Sequence, residues 1–257
     1  MQIPQLHGQV LAQDFLVYTA CDRDYFDQFG KIFCRSALTA GQTNVHLHLF
    51  NPTDAQLQWC GSNGVGTTWE YTTELNFAPL VDKLKLTAGE PLRRSLVAME
   101  KGKDANLKQR LEKTYYACAR FIRLAQVHLA CSTLFACDID AVVRKPIPRL
   151  STEKEFYIHQ IFGTKARFLA GGLYLNSTAV KFAQDYADVL TKNIQQDTLY
   201  WSMDQDVLDP LVPQCNYGQL PETLIDWYMR PESIIWTAKG TRKDNQRFIV
   251  EQKQYAV

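Results

Sequence analysis

Three consecutive segments near the start restrict the fold more than anything else in this sequence. Residues 15–20, Phe-Leu-Val-Tyr-Thr-Ala, form a short apolar run rich in strand formers that stops at the polar Asp22-Arg23-Asp24. Residues 25–39 then carry Phe26, Phe29, Ile32, Phe33 and Leu38 near helical spacing. Residues 45–50, Val-His-Leu-His-Leu-Phe, alternate and end at Asn51-Pro52, which predicts a second strand closed by a turn. Strand, helix and strand in this order predict a βαβ unit. Right-handed crossover then makes the two strands parallel neighbours.

The pattern continues downstream. Residues 106–128 read as a long helix with Leu107, Leu111, Tyr115, Cys118, Ile122 and Ala125 on one face, and Arg120 and Arg123 on the solvated side. An apolar strand at 133–137 runs straight into Asp138, residues 168–175 form a further buried strand, and 177–196 a helix. Between 51 and 105 the reading is sparser. Residues 61–66 are a Gly-rich loop without the lysine and helix of a phosphate-binding P-loop, and 69–73 fit a strand. The run 100–105 is polar and reads as an exposed loop or an active-site rim. With no internal repeat, low-complexity tract or linker, residues 1–257 read as one domain, a length that suits a large α/β fold.

Charge narrows the partners. With 28 basic and 27 acidic residues the net charge is +1, which argues against nucleic acid. No basic segment followed by an apolar run opens the chain, and no apolar stretch is long enough to span a bilayer. The absence of a basic amphipathic tail disfavours a membrane-bound partner but leaves room for peripheral membrane contact. Seven scattered cysteines without a Cys-x-x-Cys pair predict a reducing compartment, hence a cytoplasmic protein.

The chemistry concentrates in Asp138-Ile139-Asp140. In an extended segment residues two apart point the same way, so both carboxylates can face one ion. Hard oxygen donors suit Mg²⁺ or Mn²⁺, and the carboxyl end of a sheet is where open α/β folds bind ligands. Spacing alone is weak: 17 aspartates in 257 residues predict about one chance Asp-x-Asp pair, and three occur, at 22/24, 138/140 and 204/206. A capped turn after a strand is the plain alternative for any one of them. The buried strand before Asp138 singles out the middle pair.

Four ordered segments make this sequence resemble a GT-A-fold glycosyltransferase, most similar to glycosyltransferase family 8, whose members are retaining and use nucleotide sugars. They are Thr19-Ala-Cys-Asp-Arg-Asp-Tyr25, Tyr116-Ala-Cys-Ala-Arg120-Phe followed by Leu134-Phe-Ala-Cys-Asp-Ile-Asp-Ala-Val-Val-Arg144, Phe168-Leu-Ala-Gly-Gly-Leu-Tyr-Leu-Asn176, and Met203-Asp-Gln-Asp-Val-Leu208. The resemblance implies an α/β, Rossmann-like GT-A fold with a central mixed, mainly parallel sheet flanked by helices. It implies that Ala20 and Asp22 contact uridine, that Tyr25 stacks on the base, and that Arg120 neutralises diphosphate. Asp138 and Asp140 would hold Mn²⁺ or Mg²⁺. Gly171 and Gly172 would let the donor sugar approach the backbone, Asp204 would bind its hydroxyls, and Gln205 would lie near the anomeric carbon. In the segment Ile235-Trp-Thr-Ala-Lys-Gly-Thr-Arg-Lys243, Lys239 and Gly240 would meet phosphate oxygens.

Two positions depart from the family pattern. Leu169 stands where asparagine is usual, and Trp236 stands at the apparent place of a histidine metal ligand, leaving the third protein ligand unassigned. Asn176 reads as a cap of the following helix. The implied activity is transfer of a sugar from a UDP-sugar to a hydroxyl of a glycan or other acceptor, with retention of configuration. Two alternatives stay open. Asp138-Ile-Asp-Ala-Val also fits a haloacid-dehalogenase-like phosphatase, and the two departures suit a non-catalytic nucleotide- or glycan-binding protein.

Overall fold

The computed structural model describes residues 1–86, 107–161, 167–238 and 240–256, so the polar run at 100–105 and Lys239 lie outside the described residues. Strand β1 (His7–Gly8) precedes β2 (Gln13–Asp22), the helical turn α1 (Arg23–Tyr25), a π-helical stretch (Phe26–Gly30) and α2 (Lys31–Thr39). Next come β3 (Val45–Phe50), α3 (Asp54–Ser62), β4 (Gly66–Glu70), α4 (Ala78–Leu86), α5 (Leu107–His128), β5 (Cys131–Cys137), β6 (Ala141–Val143), β7 (Phe156–Ile161) and β8 (Arg167–Asn176). The chain continues through α6 (Val180–Gln195), α7 (Met203–Asp206), α8 (Leu208–Leu211), β9 (Tyr217–Gln219), β10 (Ile225–Asp226), β11 (Ile235–Thr237) and α9 (Gln246–Lys253).

The expected βαβ unit is present, with β2 and β3 parallel from Val17 opposite Val45 to Asp22 opposite Phe50. They sit inside an eight-stranded sheet ordered β1-β4-β3-β2-β5-β8-β7-β9. Parallel pairings (β4–β3, β3–β2, β2–β5, β7–β9) outnumber antiparallel ones (β1–β4, β5–β8, β8–β7), so the sheet is mixed and mainly parallel. Alternation along β2 feeds both layers. Leu16 and Tyr18 pack under α5 and α6 with Tyr115, Phe121 and Tyr186, while Val17 packs under α2 with Phe33 and Ala37. A second sheet, β10-β11-β6, lies beside the first.

Three local readings change. Residues 51–66 hold a helix, α3, before Gly66 opens β4; its start is a capping box in which Thr53 Oγ1 accepts from Gln56 N–H and Gln56 Oε1 accepts from Thr53 N–H. The strand placed at 69–73 ends at Glu70, and Thr72–Glu74 form a 3₁₀ turn. Asn176 precedes that type of turn again but makes no capping bond; its Nδ2 donates to the carbonyls of Ser151 and Lys154, tying β8 to the loop before β7.

Arg123 is the largest correction. It is buried, not solvated, and bonds Glu70, itself fully buried, at 2.6 Å through Nε and 2.5 Å through Nη2. Tyr115 donates to the same carboxylate at 2.6 Å, and Arg123 also donates to the Pro4 carbonyl.

Beside this pair, His46 Nε2 and His48 Nδ1 both meet the Thr68 hydroxyl, at 3.0 and 3.1 Å. One hydroxyl can donate to only one ring and must accept from the other, which suits two neutral imidazoles. Burial, with His48 adding to it, lowers the His46 pKa to about 3. The unfolded chain therefore binds more protons than the native state between about pH 3 and 6.5, and stability falls as pH drops through that window. Urea denaturation at pH 7.5 and pH 4.5 is expected to show this loss, and His46→Gln to flatten it. An equal slope in both proteins would remove His46 from the account.

Candidate active site

Asp138-Ile139-Asp140 joins the two sheets: β5 of the large sheet ends just before it and β6 of the small one begins just after. Ile139 packs into the apolar cluster beneath α2, and both carboxylates line a cavity of about 310 Å³. That volume falls at the lower end of small-molecule pockets. The cavity also gathers Ala20, Asp22, Tyr25, Arg120, Asp204 and Gln205, which come from three separate stretches of chain. A larger hollow of about 510 Å³ lies among residues 1–5 and Leu75, Asn76 and Pro79; its one acidic lining residue, Asp197, is paired with the terminal amine.

Each residue reaches the cavity for a local reason. Asp22 ends β2 and caps the following turn, its Oδ1 accepting from Tyr25 N–H at 2.8 Å, and this fixes Tyr25 at the rim. Arg120 comes from the buried face of α5, with its carbonyl held by the Tyr18 hydroxyl at 2.8 Å. Its guanidinium bonds the Asp138 carboxylate and lies 3.7 Å from Asp204. Burial opposes the charge on Arg120, but Asp138 and Asp204 outweigh it and raise its pKa further. Asp204 is set by α7, and Tyr186 of α6 donates to its carbonyl. Ser202, just before α7, has a left-handed backbone (φ 69°), a strained conformation of the kind that clusters at ligand sites.

The second carboxylate has its own cation. Lys243 Nζ lies 2.8 Å from Asp140 Oδ2 and donates to the Tyr25 hydroxyl at 3.0 Å, with its charge 4.6 Å from the Tyr25 ring centroid. Burial raises the Asp140 pKa, the Asp138 charge raises it further, and Lys243 pulls it back.

β8 closes the floor, with Asp138 N–H donating to the Gly171 carbonyl at 3.3 Å. A Cβ on Gly171 would lie 3.0 Å from Asp138 Oδ2, so a side chain there would crowd the carboxylate. Gly172 faces the other way, where a Cβ would overlap Ile225 at 2.3 Å; its smallness serves packing between the sheets. Gly240 is exposed with φ 63°, a left-handed position that favours glycine, and it does not line the cavity.

Trp236 is turned away from the carboxylates. Its indole N–H donates to the Arg230 carbonyl at 2.7 Å, and the Arg144 guanidinium covers its ring at 3.8 Å. Thr237 is nearer, its hydroxyl donating to the Asp140 carbonyl at 3.3 Å beside Ala238 N–H at 3.1 Å. Among the described residues no group of three His, Cys, Asp or Glu side chains is placed to hold a metal ion. Asp138 and Asp140 are thus a pair of hard oxygen donors, without a third His, Cys, Asp or Glu grouped with them among the described residues. Phe50, Lys113, Tyr116, Trp201 and Ser202 also line the cavity, and none was given a site role from the sequence. Among the described residues no helix is long and apolar enough to cross a membrane.

No family model and no curated protein sequence matches this chain. Solved structures do match it. The glycosyltransferase GlyE of Streptococcus pneumoniae TIGR4 superposes with a TM-score of 0.56 at 13% identity, covering 95% of this chain and 60% of GlyE. The galactosyltransferase LgtC, solved with donor and acceptor sugar analogs, gives 0.55 at 12% identity, covering 93% of this chain and 95% of LgtC. The bifunctional glycosyltransferase WbbM gives 0.58 at 10% identity, covering 98% of this chain and 51% of WbbM. The chain therefore spans 60% of GlyE and about half of WbbM. Its mixed, mainly parallel sheet flanked by helices is the fold of the GT-A glycosyltransferases.

Proposed function

We propose that this chain transfers a sugar from a UDP-sugar to an acceptor hydroxyl. The observation that carries this reading is Arg120, a half-buried guanidinium tied to Asp138 on one side and Asp204 on the other within a single cavity. Such a fork links a charge-handling end to a hydroxyl-binding end. Ala20, Asp22 and Tyr25 border the place of the uridine, Asp204 and Gln205 that of the donor sugar, and Gly171 leaves room beside Asp138.

In the reaction the bond from the anomeric carbon to the diphosphate oxygen breaks and the acceptor oxygen bonds to that carbon. Negative charge grows on the departing UDP, which the positions of Arg120 and Lys243 suit them to neutralise. Among the described residues none in the cavity stands out as a base, and a phosphate oxygen of the leaving group takes the acceptor proton, on the face that retains configuration. Asp138 and Asp140 fit a divalent cation as two oxygen ligands, and Mn²⁺ or Mg²⁺ held there would add charge stabilisation of the diphosphate.

UDP release from a panel of UDP-sugars, with Mn²⁺ and then with excess chelator, tests the proposal. Release with at least one donor, lost on chelation, is the expected result. The two cations already seated against Asp138 and Asp140, together with the inward Trp236, give the binding-protein alternative its one specific support. Tight UDP binding with no release from any donor would establish it. A phosphatase would instead hydrolyse a generic phosphomonoester and be trapped by aluminium fluoride. Its motif belongs on a first strand, whereas here it follows β5.

A further inference from the structure

The loop joining β10 to β11 is built to hold two aromatic rings at the edge of the carboxylate site. Asp226, fully buried, accepts from Tyr228 N–H at 2.8 Å, Arg230 N–H at 2.6 Å and the Ser233 hydroxyl at 2.9 Å. Lys145 Nζ donates to the Pro231 and Glu232 carbonyls from outside. Met229 is held at φ 59°, a conformation a non-glycine residue keeps only where its surroundings impose it. So tight a loop fixes its side chains in place. Trp227 is half-buried, and Tyr228 beside it is 75% exposed, the most exposed large hydrophobic residue among those described.

Trp227 borders the reacting region. The point where a Cβ on Gly171 would stand is 3.0 Å from Asp138 Oδ2 and 3.7 Å from Trp227 Cζ2. The carboxylate and the indole edge therefore flank one gap that only glycine leaves open. Behind the indole, the His159 ring sits 5.1 Å away, buried, and its Nε2 has no hydrogen-bond partner among the described residues. In front, the Arg242 guanidinium lies 5.8 Å from the Tyr228 ring. None of these four side chains lines the cavity that holds Tyr25, Asp138 and Asp204, and of the four it is Trp227 that flanks the Gly171 gap beside Asp138.

The geometry points to Trp227 and Tyr228 as the acceptor subsite, a platform for the terminal pyranose of a glycan. A pyranose has a face of C–H bonds and a rim of hydroxyls. The C–H face packs on the electron-rich face of an indole, which gives large contact area at small entropic cost. The rim hydroxyls then meet Arg242, and the nucleophilic hydroxyl enters through the gap at Gly171. The donor occupies the Tyr25–Asp204 cavity, so donor and acceptor approach Asp138 from different sides. This assignment rests on the sugar-transfer reading and adds to it the class of acceptor and the residue that selects it.

Saturation-transfer NMR with methyl glycosides of glucose, galactose, mannose and N-acetylglucosamine, in the presence of UDP and Mn²⁺, tests it. Transfer to the C–H face of at least one glycoside is expected. Trp227→Ala should weaken that glycoside by about tenfold, the worth of an aromatic stacking contact. UDP affinity, titrated on the same samples, should stay within about twofold, and Trp227→Phe, which keeps an aromatic face, should stay near wild type. Unchanged glycoside binding in Trp227→Ala overturns the platform. So does an equal loss of UDP binding, or a wild-type protein that binds UDP and no glycoside. Absence of UDP binding is a separate failure, which overturns the transfer reading and the acceptor assignment with it.

Discussion

Asp140→Ala is expected to lower the rate of UDP release by about a hundred- to a thousandfold, the loss typical when a preorganised electrostatic group is deleted from an active site. Three consequences fall on one carboxylate. One of the two oxygen donors for a divalent cation disappears. Lys243 loses its carboxylate partner at 2.8 Å and keeps the Tyr25 hydroxyl. The balance of charge around Arg120 also shifts, since Asp138 no longer has a like-charged neighbour. The fold should survive, because Thr237 and Ala238 hold the Asp140 main-chain carbonyl, which alanine retains. Burial and the Asp138 charge both disfavour the ionised Asp140, so removing it is expected to leave the melting temperature unchanged or slightly raised. Steady-state UDP release and a Mn²⁺ titration by calorimetry, side by side, measure both effects. Activity within tenfold of wild type would remove Asp140 from the reaction.

The βαβ unit was legible because its information is local: a short apolar run, then apolar residues near period 3.6, then an alternation, each within fifteen residues. The placing of Asp138 was legible for the same reason, since an apolar strand feeds directly into it. What could not be read was decided by pairings distant in sequence. Arg123 looks like a solvated helix residue until Glu70, on β4, meets it in the interior. Lys243 reaches Asp140 because β11 pairs with β6, placing Thr237 opposite Ala141 and Trp236 opposite Val142. That register also explains Trp236. Adjacent strand residues face opposite sides, so Thr237 turns towards the Asp140 backbone and Trp236 into the cluster with Val142 and Phe248. The helix α3 escaped for a different reason. It buries only Gln56 and Cys60, too few residues for a periodic apolar signal, and its one strong mark is the Thr53–Gln56 capping pair.

Replacing Arg123 with Met is expected to cost about 3–5 kcal/mol of stability, the range for breaking a buried ion pair from one side. Glu70 is the reason. Burial disfavours its charge, and it stays ionised because His48, Arg123 and Tyr115 outweigh that penalty. Without the guanidinium the carboxylate keeps a hydroxyl at 2.6 Å and a histidine nitrogen at 3.6 Å, and no fixed cation. The Pro4 carbonyl also loses its donor from Arg123. For a chain of this length the melting temperature should fall by roughly 10 °C, at 2–4 °C per kcal/mol. Two further results separate an ion-pair effect from lost packing. Adding Glu70→Gln to Arg123→Met should recover part of the loss, because the stranded charge is gone. The deficit of the single variant relative to wild type should also shrink towards pH 4, where Glu70 can take a proton: its native pKa in that variant lies above the unfolded value, so acid favours its folded state. Urea denaturation at pH 7.5 and pH 4.5 reads all three. A deficit below about 1 kcal/mol that does not change with pH would mean that Tyr115 and His48 sustain the buried carboxylate without Arg123, as a hydrogen-bonded site would and an ion pair would not.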